Sequence, residues 1–189
     1  MNYENAILRK ILEQLISIDC ERNISTKSHL ILRDIDLLKQ CNNLKASVSV
    51  NTLDEQFKED MDCASSIQKR LKTLETLHEN GIYTVLFMSP IFPGITDYKE
   101  IIVKTRRYVD EYWFENLNLR GSYKRDILGY IKDTYPQLVE LYDEIYVKGN
   151  AGVWKNLSIE IEEYCAAHAI KHIGYFYHKE LVEAKLKQK

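Results

Sequence analysis

Lys27 sits between two hydroxyl residues, Thr26 and Ser28, at the end of the short β-branched run "NIST". An ammonium there can act as a point charge toward a carboxylate or phosphate. Further on, "ASVSVNT" supplies Ser49, Asn51 and Thr52, whose hydroxyl and amide groups suit a ribose diol. The stretch "SPIFPGITD" adds Ser89, Pro90, Pro93, Gly94, Thr96 and Asp97, and "NLNLR" adds Asn116, Asn118 and Arg120. Each group follows a segment that reads as a strand. In parallel α/β folds the functional rim lies at the C-terminal strand ends. Two cations among small donors and acceptors make a rim suited to a ligand with one anionic group and several hydroxyls. Each residue taken alone has a plainer role, because Ser, Thr, Asn and Asp at strand ends also cap the next helix. Asp97 before "YKEII" reads as such a cap, and Lys27 as a solvated loop charge. The binding reading rests on the collection.

Other candidates carry less. His168 and His172 are four apart, but no third metal ligand is written near them. Glu160, Glu162 and Glu163 read as a solvated helix face. The thirteen tyrosines, with Trp113 and Trp154, could stack on bases, yet Tyr135, Tyr142 and Tyr146 recur at helical spacing and read as packing residues. No P-loop and no G-x-G-x-x-G is present. Four cysteines, Cys20, Cys41, Cys63 and Cys165, lie far apart with no C-x-x-C pair, so four free thiols are expected.

The elements that must position the rim follow from periodicity. Ile7, Leu8, Ile11, Leu12, Leu15 and Ile16 predict an amphipathic helix over 3–18. Residues 23–26 read as a strand, 33–41 as a short helix, and 44–52 as a strand with Ala46, Val48 and Val50 on one face and serines on the other. One helix is predicted from 54 to 79, with Ile67, Leu71, Leu74 and Leu77 as its stripe and Gly81 ending it. The apolar run 82–90 reads as a strand covered on both faces. A helix over 98–110, a strand over 112–120, helices over 122–146 and 151–168, a strand over 172–178 and a basic terminal helix "KELVEAKLKQK" complete the chain. Strands alternating with helices argue for a parallel α/β sheet.

The 189 residues are 45% hydrophobic and 29% charged, with a net charge of -2. That fits a soluble globular chain of one domain, on a prior of roughly 100–200 residues per domain. The charge balance gives no broad pull toward nucleic acid. Glu4, Arg9, Lys10 and Glu13 interrupt any apolar leader, and no uncharged run is long enough to span a bilayer, so a cytoplasmic location is expected.

The ordered motifs "TKSHLILRDIDLL", "ASVSVNT" and "SSIQKRLKTLETLHENGIYTVLFMSPIFPGITD" resemble radical S-adenosylmethionine enzymes of the spore photoproduct lyase-like, DNA repair photolyase-like branch. The likeness is close over about seventy residues, with the strand at 112–120 a further match. It implies a partial (β/α) barrel, an incomplete TIM barrel, over 1–121, followed by a helical extension over 122–189. It also implies S-adenosylmethionine and a [4Fe-4S] cluster as cofactors. Lys27 would approach the cofactor's carboxylate with Ser28 beside it. Ser49 and Asn51 would lie near its sugar and amine, and the loop with Ser89, Pro90 and Gly94 on its adenine side. Asn118 ends the next strand on the same rim.

The departures are as informative. The family's C-x3-C-x2-C triplet is absent, and Cys20, Cys41 and Cys63, spaced 21 and 22 apart, cannot imitate it. The acidic-proline element expected before "RL" is here "MDCASSIQKRL", with Asp62 and no proline. On this reading the first strand, its cluster loop and the second strand would lie upstream of Met1. The chain is then expected to be inactive alone, binding neither cofactor tightly. Its first strand would present an open edge, inviting a homodimer, the missing N-terminal half, or a fold-back of the first helix. A non-catalytic scaffold, half of a split enzyme, and a nucleic-acid repair module stand as alternatives. The net charge does not favour the last.

Overall fold

A computed structural model of the protein describes residues 3–176. The predicted terminal helix and the last residues of the predicted strand 172–178 lie outside that span. Helix α1 (Tyr3–Leu15) leads into β1 (Arg22–Thr26), a 3-10 turn (His29–Asp34) and α2 (Ile35–Leu38). Then come β2 (Leu44–Ser49), α3 (Glu55–Met61), α4 (Ile67–Glu79), β3 (Tyr83–Ile91), α5 (Tyr98–Thr105) and β4 (Glu111–Asn116). Helices α6 (Gly121–Thr134), α7 (Val139–Tyr142) and α8 (Gly152–Ala167) precede β5 (His172–Gly174). The strands form one parallel sheet in the order β1-β2-β3-β4-β5, the parallel α/β arrangement that the alternation predicts and the partial barrel that the resemblance implies. Thr26 pairs with Val48 across β1 and β2, and Ser49 with Phe87 across β2 and β3.

The chain divides into two compact units, one drawn from Met1–Phe87 with Tyr98–Tyr112 and the other from Met88–Asp97 with Trp113–Lys189. In the first unit, Ala46, Val48 and Val50 are buried as the alternation requires. Ser47 is buried too, because a parallel strand is covered on both faces. Its hydroxyl is satisfied by Ser25 across the strand pair, at 2.6 Å, so the expected polar face of β2 is in fact interior. Arg22, itself buried, closes the C-terminal end of α1 by donating to the carbonyls of Leu15 (2.5 Å) and Ile18. A guanidinium there neutralises the negative end of the helix dipole and serves orphan carbonyls.

The predicted single helix over 54–79 is two helices. Asp54 caps α3, accepting from the amides of Gln56 (2.8 Å) and Phe57 (3.2 Å), and Ser66 caps α4, accepting from Lys69 N at 3.3 Å. Between them the backbone of Asp62 is extended, and its carboxylate accepts from Ala64 N at 3.0 Å. Asp62, Ser65 and Ser66 offer the backbone side-chain partners that compete with helix, and they win here. Gly81 ends α4 at φ 75, with its amide bonded to His78 O and that of Ile82 to Leu77 O, the left-handed cap the sequence implies. In the second unit, the predicted helix over 122–146 breaks at Tyr135, because Pro136 has no amide to continue it. A 3-10 turn, α7 and a π-helical turn (Asp143–Val147) replace its second half.

Where β2, β3 and β4 begin, Lys45 Nζ pairs with Glu111 at 2.8 Å, and Tyr83 Oη donates to the same carboxylate at 3.0 Å. Glu111 is 1% exposed, so its charge depends on these partners. Replacing Lys45 with Met should destabilise the fold by about 2 kcal/mol, a value reduced from the fully buried case because Lys45 is partly solvated. Adding Glu111→Gln should recover part of that loss. Chemical denaturation measures both, and a Lys45→Met protein as stable as the parent would contradict the burial argument.

Candidate functional site

The two hydroxyls beside Lys27 are structural. Thr26 Oγ accepts from Ser28 N at 2.9 Å, and Ser28 Oγ accepts from Leu30 N at 3.2 Å, opening the 3-10 turn. Lys27 itself reaches across to Asp62, Nζ to Oδ2 at 3.1 Å. Arg70 comes to the same carboxylate from α4, Nη2 to Oδ1 at 2.5 Å, and Lys58 from α3 at 3.9 Å. Arg70 is 1% exposed and spends its other donors on Ser49 O (3.2 Å) and Ser65 O (2.7 Å). Lys58 is likewise buried and donates to Ala64 O at 2.7 Å. His29 adds a further link, its Nδ1 2.8 Å from Ser65 Oγ, which also accepts from His29 N at 3.1 Å.

Through Asp62 and Arg70, then, the loop after β1 and the end of β2 belong to one hydrogen-bonded network. Lys27 and Ser49, both predicted from the sequence, are brought together by it, and Asn51 follows half-buried on the same strand end. Burial pushes the Asp62 carboxyl up, but hydrogen bonds from Arg70 and Lys27 outweigh it and hold the group below the usual carboxylate range. Three cations face one carboxylate, which leaves positive charge in excess. Lys27, with 39% of its side chain exposed, is the cation able to turn toward a ligand.

The remaining predicted site residues belong to the second unit. Ser89 donates to the carboxylate of Glu115 on β4, and its peptide bond to Pro90 is cis. Gly94 has φ 75, and a Cβ there would stand 2.8 Å from Leu138, so both conformation and space select glycine. Asn118 is exposed and accepts from Arg120 Nε at 3.2 Å. Arg70, Lys58 and Glu115 escaped the sequence reading. Arg70 lies next to the apolar stripe of α4, where a lone charge looks like solvated surface, and only the turn at Asp62 reveals its partner.

No three His, Cys, Asp or Glu side chains converge as metal ligands among the described residues. His168 and His172 each bond a nearby carbonyl, of Tyr164 and Ile170. Cys20 and Cys63 are exposed, Cys41 and Cys165 buried, and burial pushes the Cys165 thiol up to about 11. These residues therefore do not fit a [4Fe-4S] cluster, which needs thiolates gathered on one side.

The sequence profile of the Radical SAM superfamily matches residues 2–108, and the chain belongs to that superfamily. An uncharacterized protein of Methanocaldococcus jannaschii is 38% identical over 136 residues, which cover 71% of this chain and 51% of that protein. An uncharacterized protein of Acidianus two-tailed virus is 31% identical, covering 60% of this chain and 41% of its own length. The chain thus spans about half the length of the curated relatives it matches. Streptococcus suis SuiB bound to the precursor peptide SuiA shares the fold at a TM-score of 0.62 and 14% identity, over 95% of this chain and 37% of SuiB. Spore photoproduct lyase with bound AdoMet and dinucleoside spore photoproduct shares it at 0.51 and 19%, over 68% of this chain and 39% of the lyase.

Because the folded Asp62 has a lowered pKa, its contribution to stability is complete above the unfolded value near pH 4 and is lost as pH falls through the folded value. Asp62→Asn should therefore cost about 2–4 kcal/mol at pH 7, since it strands buried Arg70 and Lys58. The variant should also lose Asp62's share of the acid-side slope expected of the parent below about pH 4. Urea denaturation across that range measures both effects, and parallel stability curves for the two proteins would refute the assignment.

Proposed function

We propose that this chain forms the cofactor-cradling part of a radical S-adenosylmethionine enzyme of the spore photoproduct lyase-like branch. The observation that carries the reading is the convergence of Lys27, Lys58 and Arg70 on Asp62 beside the end of β2. An incoming amino-acid carboxylate can take Lys27 from Asp62 without leaving Asp62 bare, because Arg70 and Lys58 remain. Ser49 and Asn51 are then placed to meet neutral polar groups of the same ligand. The order of the motifs around Lys27, Ser49 and Ser89 supports the branch, and the solved structures support the fold.

Bound S-adenosylmethionine would supply a cleavable sulfonium; this chain's part is to bind and orient its carboxylate. The residues present do not hold the cluster that would supply the electron, so no radical step is assigned to the chain by itself. A second observation favours an assembly. The sheet begins at β1, whose outer edge pairs with no strand among those described, and Asn23 and Ser25 on it are exposed. Such an edge accepts a further strand, from a second copy or from a cluster-bearing polypeptide. No described helix is long and apolar enough to cross a membrane.

Equilibrium dialysis of the chain against S-adenosylmethionine should show weak, saturable binding that Lys27→Met reduces at least tenfold. Anaerobic addition of ferrous iron and sulfide should leave no stable cluster on it. Equal binding by parent and variant would overturn the role of Lys27, and stoichiometric cluster formation would overturn the division of labour.

A further inference from the structure

A second set of cations lies apart from the strand ends, in an open groove between α4 and α5. Lys69 and Lys72 line it from α4, one helical turn apart, and Lys104 and Arg107 line it from α5 and the turn after it. All four are exposed. Leu71 and Tyr108, both half-buried, make up the apolar part of its lining. The single carboxylate in the groove, Glu75, is taken up by Lys72 at 2.8 Å. Four positive charges against one negative therefore share this groove in a chain whose net charge is -2. The overall balance conceals the patch because acidic residues elsewhere cancel it.

We propose that this groove binds single-stranded nucleic acid, with the cations on the phosphodiester backbone and Tyr108 stacked against a base. The charge pattern fits a polyanion whose charges repeat, since Lys69 and Lys72 stand on successive turns of α4, about 4.5 Å apart along its axis, with Lys104 and Arg107 on the other side. The apolar part of the lining separates this partner from an acidic peptide. An aromatic ring among cations is what a groove that tracks a single strand presents, and it gains from any base because every base has a π-face. A duplex keeps its bases stacked on each other and gives Tyr108 nothing to stack on. None of these residues takes part in the Asp62 network, so the proposal stands or falls independently of cofactor binding.

Fluorescence anisotropy of the full 189-residue chain with a labelled single-stranded oligonucleotide tests it. With three or four phosphate contacts, log K should fall with log salt at a slope of about −2 to −3. Lys72→Glu with Arg107→Glu should weaken binding at least tenfold and flatten the slope. Tyr108→Leu should weaken it several-fold with the slope unchanged, with circular dichroism confirming that each variant is folded. Polyglutamate of equal charge should compete poorly. A salt-independent signal, variants that bind like the parent, or displacement by polyglutamate as effective as by the nucleic acid would overturn the proposal.

Discussion

One carboxylate organises the functional edge of this protein. Asp62 is drawn out of water, which by itself favours its neutral form, yet Arg70 and Lys27 hold it ionised. The opposition matters because Arg70 is more deeply buried than Asp62, and its remaining donors go to the neutral carbonyls of Ser49 and Ser65. Arg70 needs Asp62, and Asp62 requires the backbone to leave the helix at that point. Hence α3 stops, α4 starts afresh at Ser66, and the loop between them lies where Lys27 and His29 can reach it. Ser49 O is fixed by the same guanidinium, so the ends of β1 and β2 are tied through side chains as well as through the sheet.

Much of this frame is legible in the amino-acid order. β-Branched runs, alternation over 44–50 and the Asn80–Gly81 stop each act locally, and they predict strands and helix ends that the structure contains. The breaks were harder to read. A helical stripe through Ile67, Leu74 and Leu77 extrapolates backward across Asp62, because periodicity carries no signal for a short turn whose stability comes from Arg70 and Ala64. Ser47 looked solvent-facing because alternation distinguishes apolar from polar residues but not one covered face from two. Pro136 stands inside the helix predicted over 122–146, and its missing amide is the local signal for the break at Tyr135. Lys27 and Ser49 could be found as site candidates from their strand-end positions. Lys58 and Arg70 could not, since a cation's partner is a tertiary fact.

The proposed function amounts to a division of labour. Membership of the radical SAM superfamily supplies the expectation of reductive chemistry, while these residues supply an electropositive seat and no gathered thiolates. Seats of this kind gain affinity from charge and from preorganisation, both of which the Asp62 network provides before any ligand arrives. Charge is distributed in the same local way across the surface, and a net value near zero describes neither the strand-end seat nor the groove of α4 and α5.

The most direct measurement is the titration of the Asp62 carboxyl carbon by NMR, in the parent and in Lys27→Met. The account predicts a midpoint below that of an unfolded aspartate, moving upward when Lys27 is removed while remaining low because Arg70 persists. A midpoint at or above the unfolded value in the parent, or one indifferent to Lys27, would contradict the ionic junction on which the whole reading rests.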